Sequence, residues 1–304
     1  DEVVPGSEGI IPRLCESLFE RIEQIHSSGN EHEQLRWEVK ATYVEIYCEK
    51  VTDLLATGID HAVQIREEVH KTRDEGRSRF KLVGATERPV KTVADVLLCL
   101  RNGNRNRRTA STKMNQRSSR SHAVFLLELV ETLRITLPDG SIASAPSKSV
   151  SVKLVDLAGS ERVDESGATG DRLKEAAAIN KSLFTLGHVI ENLVDPKRRG
   201  IKPPYRDSAL TRILKDSFGG NSKTTMVATI SPSEAYHSQT VHTLEYATRA
   251  RKIANTPIVL EDPRAVELRR KQQELDEVKR ELEEARKYGG DAAKKLEAQL
   301  HLAE

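Results

Sequence analysis

The stretch SVSVKLVDLAGSER, running from Ser149 to Arg162, decides how this sequence reads. Val150, Val152 and Leu154 recur at every second position, Val155 follows, and the run closes on an acid, Asp156. Such alternation of β-branched and aliphatic residues predicts a strand. Gly159 comes three residues after the acid. A strand that ends on Asp and then turns at Gly is how many nucleoside triphosphatases hold a carboxylate near magnesium and a backbone N–H near a γ-phosphate.

That half has a usual companion, the loop GxxxxGK[ST], whose lysine and hydroxyl reach the phosphates and the metal. No Gly-Lys pair occurs anywhere in the 304 residues. The nearest approach, GGNSKTT at 219–225, has Ser222 before its lysine. It also stands between a helix and a strand, the reverse of the required order.

Composition narrows the field. Charged residues make up 31% of the chain, but the net charge is only +2, so the total implies neither nucleic acid nor membrane as partner. Cys15, Cys48 and Cys99 are odd in number, far apart and without a CxxC pair. They form neither a disulfide framework nor a zinc motif, and they fit a reducing compartment. Apolar runs such as Ala123 to Leu127 are too short to cross a bilayer, and DEVVPGSEGIIPR has no secretory pattern. A cytoplasmic protein with no transmembrane segment is expected.

Along the chain, Leu14, Leu18, Ile22 and Ile25 share one helical face. RWEVKATYVEIYCEKVTDLL predicts a strand running into a short helical turn, and residues 63 to 90 predict short strands around a charged loop. A helix is expected from Thr92 to Asn102 with Gly103 as its stop. SHAVFLLELVETLRITL reads as a long strand. A helix from about Arg172 to Val194 follows, then a basic loop and a helix, SALTRILKDSF, capped at Asp207 or Ser208. The strand TTMVATI and the helix SQTVHTLEYATRARKI complete the alternation. The fold class is α/β, a central mixed sheet flanked by helices. Residues 255–265 read as a proline-punctuated linker. Residues 266–304 read as a charged helix with acid-first i,i+4 pairs such as Glu267/Lys271. Leu268, Leu275, Val278, Leu282 and Ala285 follow a heptad spacing, so a solvated single helix and a homodimer through residues 266–288 both stay open.

A second constellation, NQRSSRSH at 115–122, precedes the long strand. Small hydroxyls beside an arginine suit phosphoryl transfer, which depends on positioning and charge stabilisation. Alone, such a string is more often a polar loop or a kinase site; paired with DLAGSE it becomes specific. On these strings, and on AAAINKSLFTLG, YRDSALTRILKDSFGGNSKT, VATISP and LEYATRARKI, residues 1–254 resemble the kinesin motor domain. DRLKEA, GIIPRLCESLF and the Glu-Asp-Pro after the linker resemble kinesin-3 motors most.

The resemblance implies a P-loop motor fold, ATP and Mg2+ as ligands, microtubules as partner and a place on the cytoskeleton. It makes NQRSSRSH switch I and DLAGSE switch II. Ser118 and Ser119 would order magnesium and the attacking water, with Asn115 beside the nucleotide. Asp156 would hold the magnesium shell, Gly159 would contact the γ-phosphate, and Arg120 would pair with Glu161 as a latch between the switches. Asn180 and Lys181 would lie on the helix facing the track. Arg162, Lys174, Lys181, Lys197, Arg198, Arg199, Lys202, Arg206, Arg212 and Lys215 would form the basic surface toward acidic tubulin. Ala209 departs from the family's YRDSKLTR. In kinesins the phosphate loop precedes the residues matching GIIPRLCESLF, so the expectation is that it lies N-terminal to Asp1. Two readings follow: a microtubule motor represented by an incomplete chain, and a non-catalytic kinesin relative.

Overall fold

The computed structural model describes residues 9–27, 33–57, 62–69, 78–111, 120–137, 140–159, 171–198, 200–259 and 261–288, with the backbone alone at 33, 69, 78–79, 109–111, 171–180 and 287–288. Helix α1 spans Ile10–Ser27. Strands β1 (Glu33–Tyr47) and β2 (Lys50–Asp53) form a hairpin where a strand and helical turn were expected. Cys48 and Glu49 both take positive φ, 48° and 64°, which is the geometry of a two-residue hairpin turn. Neither is the glycine or asparagine that signals such a turn, so the sequence hides it. Glu49 is held there in part because its Oε2 accepts the Ala209 N–H at 2.7 Å.

Strands β3 (Ala62–Val69), β4 (Ser78–Val83) and β5 (Arg88–Val90) follow, then helix α2, Val93–Ser111. Helix α2 runs through Gly103, the expected stop. The cause is packing: a Cβ on Gly103 would lie 2.2 Å from Tyr43 Cδ1, so glycine here serves close approach of helix to sheet. Strands β6 (His122–Thr136) and β7 (Ile142–Asp156) are the long pair expected. Helices α3 (Asp171–Val194), α4 (Ala209–Ile213), α5 (His237–Ala250) and α6 (Pro263–Tyr288) complete the order. Helix α4 is short and passes into a 3-10 turn at Lys215–Ser217. Ser208 is its N-cap, its hydroxyl accepting the Leu210 N–H.

The sheet runs in the order β4-β3-β2-β1-β6-β7, with β5 beside β1, and each pairing among the described strands is antiparallel. Both faces are covered. Val39, Ala41 and Tyr43 of β1 and Phe125 and Leu127 of β6 meet α1 and α2 residues such as Cys15 and Val96. Their neighbours Val44, Ile46 and Val124 point the other way, against Leu186 and Ile190 of α3 and Leu210 and Ile213 of α4. This double burial is why β6 reads as a nearly continuous apolar run.

Strand β7 ends the sheet and is largely exposed, whereas β6 is largely buried. Residues 224–230, expected as a strand, form no ladder among the described residues, and Val227 is 67% exposed. The apolar segment is present, but among the described residues no strand pairs with it, and a ladder requires one.

The linker is tied down instead of loose. Asn255 Oδ1 accepts the Gly219 N–H at 2.7 Å, the Thr256 N–H donates to Gly220, and the Asp262 N–H donates to Ser147 on β7. Ala265 and Leu268 of α6 then pack on Leu133, Ile135 and Ala145. Leu275 and Leu282 are also buried within the single chain. Of the heptad residues, Leu275 and Leu282 are thus covered by this chain itself, whereas Leu268, Val278 and Ala285 are half-buried.

Two outcomes are expected. Gly103→Ala should destabilise the chain by about 1–3 kcal/mol through overpacking, despite a helix-propensity gain of up to about 1 kcal/mol, as read by urea denaturation. Amides of Thr224 to Ile230 should exchange with solvent far faster than those of β1 and β6, and Val227→Asp should raise the monomer fraction in light scattering.

Candidate active site and track-facing surface

The register of β6 and β7 assembles the site. Ala123 lies opposite Asp156, so the residues just before β6 and just after β7 emerge side by side at one end of the sheet. The end of NQRSSRSH and the middle of DLAGSE thereby meet, although more than thirty residues separate them in sequence. Asn115, Ser118, Ser119 and Glu161 lie outside the described residues, and so does the expected Arg120–Glu161 pair.

Asp156 projects outward, its side chain 73% exposed, and is held from below by Arg107, Nη1 to Oδ2 3.3 Å. Arg107 is buried. Its Nε lies 3.6 Å from Glu45 Oε1, and its Nη2 donates to the Ser121 carbonyl at 3.0 Å. Ser121 Oγ in turn donates to Glu45 Oε1 at 2.7 Å. Glu45, on β1, is almost wholly buried, and there it has the Arg107 guanidinium of α2 as counter-charge and the Ser121 hydroxyl as hydrogen-bond donor. Sequence reasoning missed Arg107 and Glu45. A signal did exist: Val96, Leu100, Gly103 and Arg107 recur at 4-3-4 spacing, which extends the inward stripe of α2 to the arginine.

His122 sits beside this cluster, buried, between the Ala158 N–H at 2.9 Å from Nδ1 and Ser182 Oγ at 2.6 Å from Nε2. Burial lowers its pKa to about 4; Arg107 pushes the same way and Asp156 opposes. The ring is neutral at physiological pH. His122 is thus a hydrogen-bonded histidine at the first position of β6.

On α3, Ser182, Leu186, Val189 and Ile190 face inward, whereas Lys181, Phe184 and His188 face out. The rings of Phe184 and His188 lie 4.1 Å apart. Lys197, Lys202 and Arg206 are exposed, and Arg198, Arg212 and Lys215 are half-buried. Not all of this charge is unopposed. Arg206 and Lys215 both pair with Glu67, at 2.6 and 3.5 Å, and Arg198 pairs with Glu191 and Asp195. Arg162 and Arg199 lie outside the described residues, as does the side chain of Lys174.

Residues 4–253 match the kinesin motor domain family. The chain belongs to the kinesins. It is 43% identical over 272 residues to the chromosome-associated kinesin KIF4 of Xenopus laevis, covering 89% of this chain and 20% of that protein. It is 43% identical over 281 residues to the kinesin-like protein KIF13A of Homo sapiens, covering 91% of this chain and 15% of that protein. The chain thus spans a fifth or less of the length of these relatives. Among solved structures, a fast kinesin described for its ATPase mechanism and its interactions with microtubules aligns with a TM-score of 0.68 at 38% identity, over 85% of this chain and 66% of that one. The curled antiparallel sheet with helices on both faces is the kinesin motor fold. No helix among the described residues is long and apolar enough to cross a membrane.

The polar cluster of this kinesin chain carries two expected outcomes. Arg107→Ala leaves Glu45 buried without its cation and should cost about 3–5 kcal/mol in urea denaturation, with partial recovery on adding Glu45→Gln. His122 binds a proton less readily folded (about 4) than unfolded (about 6.5), so unfolding takes up a proton between those values. Its contribution to stability is full above about pH 6.5 and declines as pH falls toward about 4; a melting-temperature series should show this decline flattened in His122→Asn.

Proposed function

We propose that this chain is part of a microtubule motor, a kinesin motor domain that binds Mg-ATP and couples its hydrolysis to its grip on the track. The observation that carries the reading is the Ala123–Asp156 register, which brings the two switch strings to one end of the sheet. The residues present fit the switch half of a nucleotide site. Asp156 offers an outward carboxylate, and Gly159 follows in the same loop. Mg2+ commonly takes one or two protein carboxylates plus substrate phosphates, so a lone acid suits it. Bound Mg2+ would neutralise phosphate charge, while Ser119 would complete its shell through water. Ser118, Arg120 and Glu161 would position the attacking water and close the latch between the switches. Asn115 would flank the nucleotide.

The phosphate half is different: residues 1–304 contain no GxxxxGK[ST] loop. A second reading is a kinesin relative that binds microtubules without turnover. The coding sequence adjoining the Asp1 codon separates the two readings, an in-frame phosphate loop deciding for the motor. For 1–304 alone, both readings give no kinesin-like ATP turnover, since phosphoryl transfer draws on little besides positioning and electrostatics. Microtubule-stimulated phosphate release by 1–304, abolished by Asp156→Ala, would overturn this.

Track binding rests on Lys181, Lys197 and Lys202, which have no acidic partner among the described residues, and on Arg162, Lys174, Arg198, Arg199, Arg206, Arg212 and Lys215 around them. Affinity for microtubules in co-sedimentation should fall steeply between about 0.01 M and about 0.1 M salt, as the screening length shrinks from about 30 Å to about 10 Å. Binding that is absent, or insensitive to salt and to Lys181→Ala/Lys202→Ala, would refute it. The protein is proposed to be cytoplasmic and associated with the microtubule cytoskeleton. Homodimerisation through residues 266–288 would require α6 to uncover Leu275 and Leu282.

A further inference from the structure

Each ring nitrogen of His122 is engaged by a different element of the site. The Ala158 N–H can only donate, so Nδ1 is the acceptor and the ring proton sits on Nε2. Nε2 then donates to Ser182 Oγ. The tautomer is set by a backbone bond at one end, and the other end is spent on a helix. Ala158 stands between Asp156 and Gly159 in the loop after β7, and it is buried. Ser182 lies on the inward face of α3, next to Lys181, which points outward from the same turn. The imidazole between them is buried, with both ring nitrogens engaged.

We infer that His122 is a positioning residue that couples α3 to the loop after β7: through its ring, the Ser182 hydroxyl sets where the Ala158 amide sits, and with it Asp156 and Gly159 on either side. The path from the exposed Lys181 to Gly159 consists of one covalent step, two hydrogen bonds across His122 and a second covalent step. A shift of α3 along its axis must either carry the loop with it or break the 2.6 Å contact. Both ring nitrogens are occupied inside the protein, so His122 is a spacer and does not shuttle protons. The mechanical meaning rests on the motor reading, in which α3 faces the track; the coupling itself does not.

The test is a mutant cycle on the 304-residue chain, read by amide exchange at Ala158 and by the imidazole N–H signal in NMR. Ser182→Ala removes the acceptor while leaving Nδ1 in place. His122→Asn puts an amide oxygen where Nδ1 was and ends short of Ser182. In the wild-type background, Ser182→Ala should speed Ala158 exchange about three- to tenfold, the worth of one hydrogen bond, and should abolish the downfield, slowly exchanging Nε2 proton signal. In the His122→Asn background, Ser182→Ala should change nothing at Ala158. Unchanged Ala158 exchange in the single variant overturns the inference. Equal acceleration in both backgrounds overturns it too, because the hydroxyl would then act through packing. With microtubules added, the wild type should show altered Ala158 exchange, and Ser182→Ala should bind equally without that change. If the wild type does not co-sediment at all, the motor reading has failed, and the cycle on the free chain still decides the coupling.

Discussion

The pairing of β6 with β7 in a single register is the constraint on which the rest depends. Ala123 stands opposite Asp156, Phe125 opposite Leu154 and Leu127 opposite Val152. A slip of one residue would turn Phe125 and Leu127 from the α1–α2 side to the α3–α4 side and would send Val124 the opposite way. Both faces of β6 are buried, so a slip would be penalised on each of them. The chemistry sits where this apolar insistence ends, at Ser121, His122 and Asp156. Hydrophobic packing thus sets the spacing of the polar groups before any of them makes a bond.

Once in place, the polar groups are organised around charge burial. A carboxyl group as deeply buried as Glu45 needs partners, because an uncompensated buried charge costs several kcal/mol. Arg107 is one such partner and uses the rest of its guanidinium on Ser121 and Asp156, a fork that a lysine ammonium cannot reproduce. Its reach depends on how near α2 comes to β1. Gly103 allows that approach by leaving room for the Tyr43 ring, whose hydroxyl then bonds Asn104. A backbone choice one turn away therefore decides whether the exposed carboxylate of Asp156 is anchored.

The same accounting applies to the basic surface. Glu67, reaching from β3, engages Arg206 and Lys215 together, and Lys215 also lies over the Phe80 ring. The β3–β4 hairpin thus orients two of the expected track-binding cations while reducing their field. At the other end, Lys148 of β7 joins Glu261 at 3.1 Å and buried Glu131 at 3.8 Å, which binds the linker to the sheet edge. An edge strand offers unpaired backbone groups, and the linker covers a short part of them.

What the sequence by itself determined is local or periodic. The alternation in β6 and β7, the stripe of α1, the Ser208 cap and the two switch strings are written within a few residues each, so elements, fold class and family were legible. What only the tertiary structure decided depends on who stands next to whom. Gly103 continues a helix because Tyr43 fills its place; Cys48 and Glu49 make a tight turn held in part from α4; Arg107 becomes a site residue because Glu45 is buried opposite it. Residues 224–230 carry the pattern of a strand and form no ladder among the described residues, since strand propensity supplies the side chains while the hydrogen bonds must come from a neighbour.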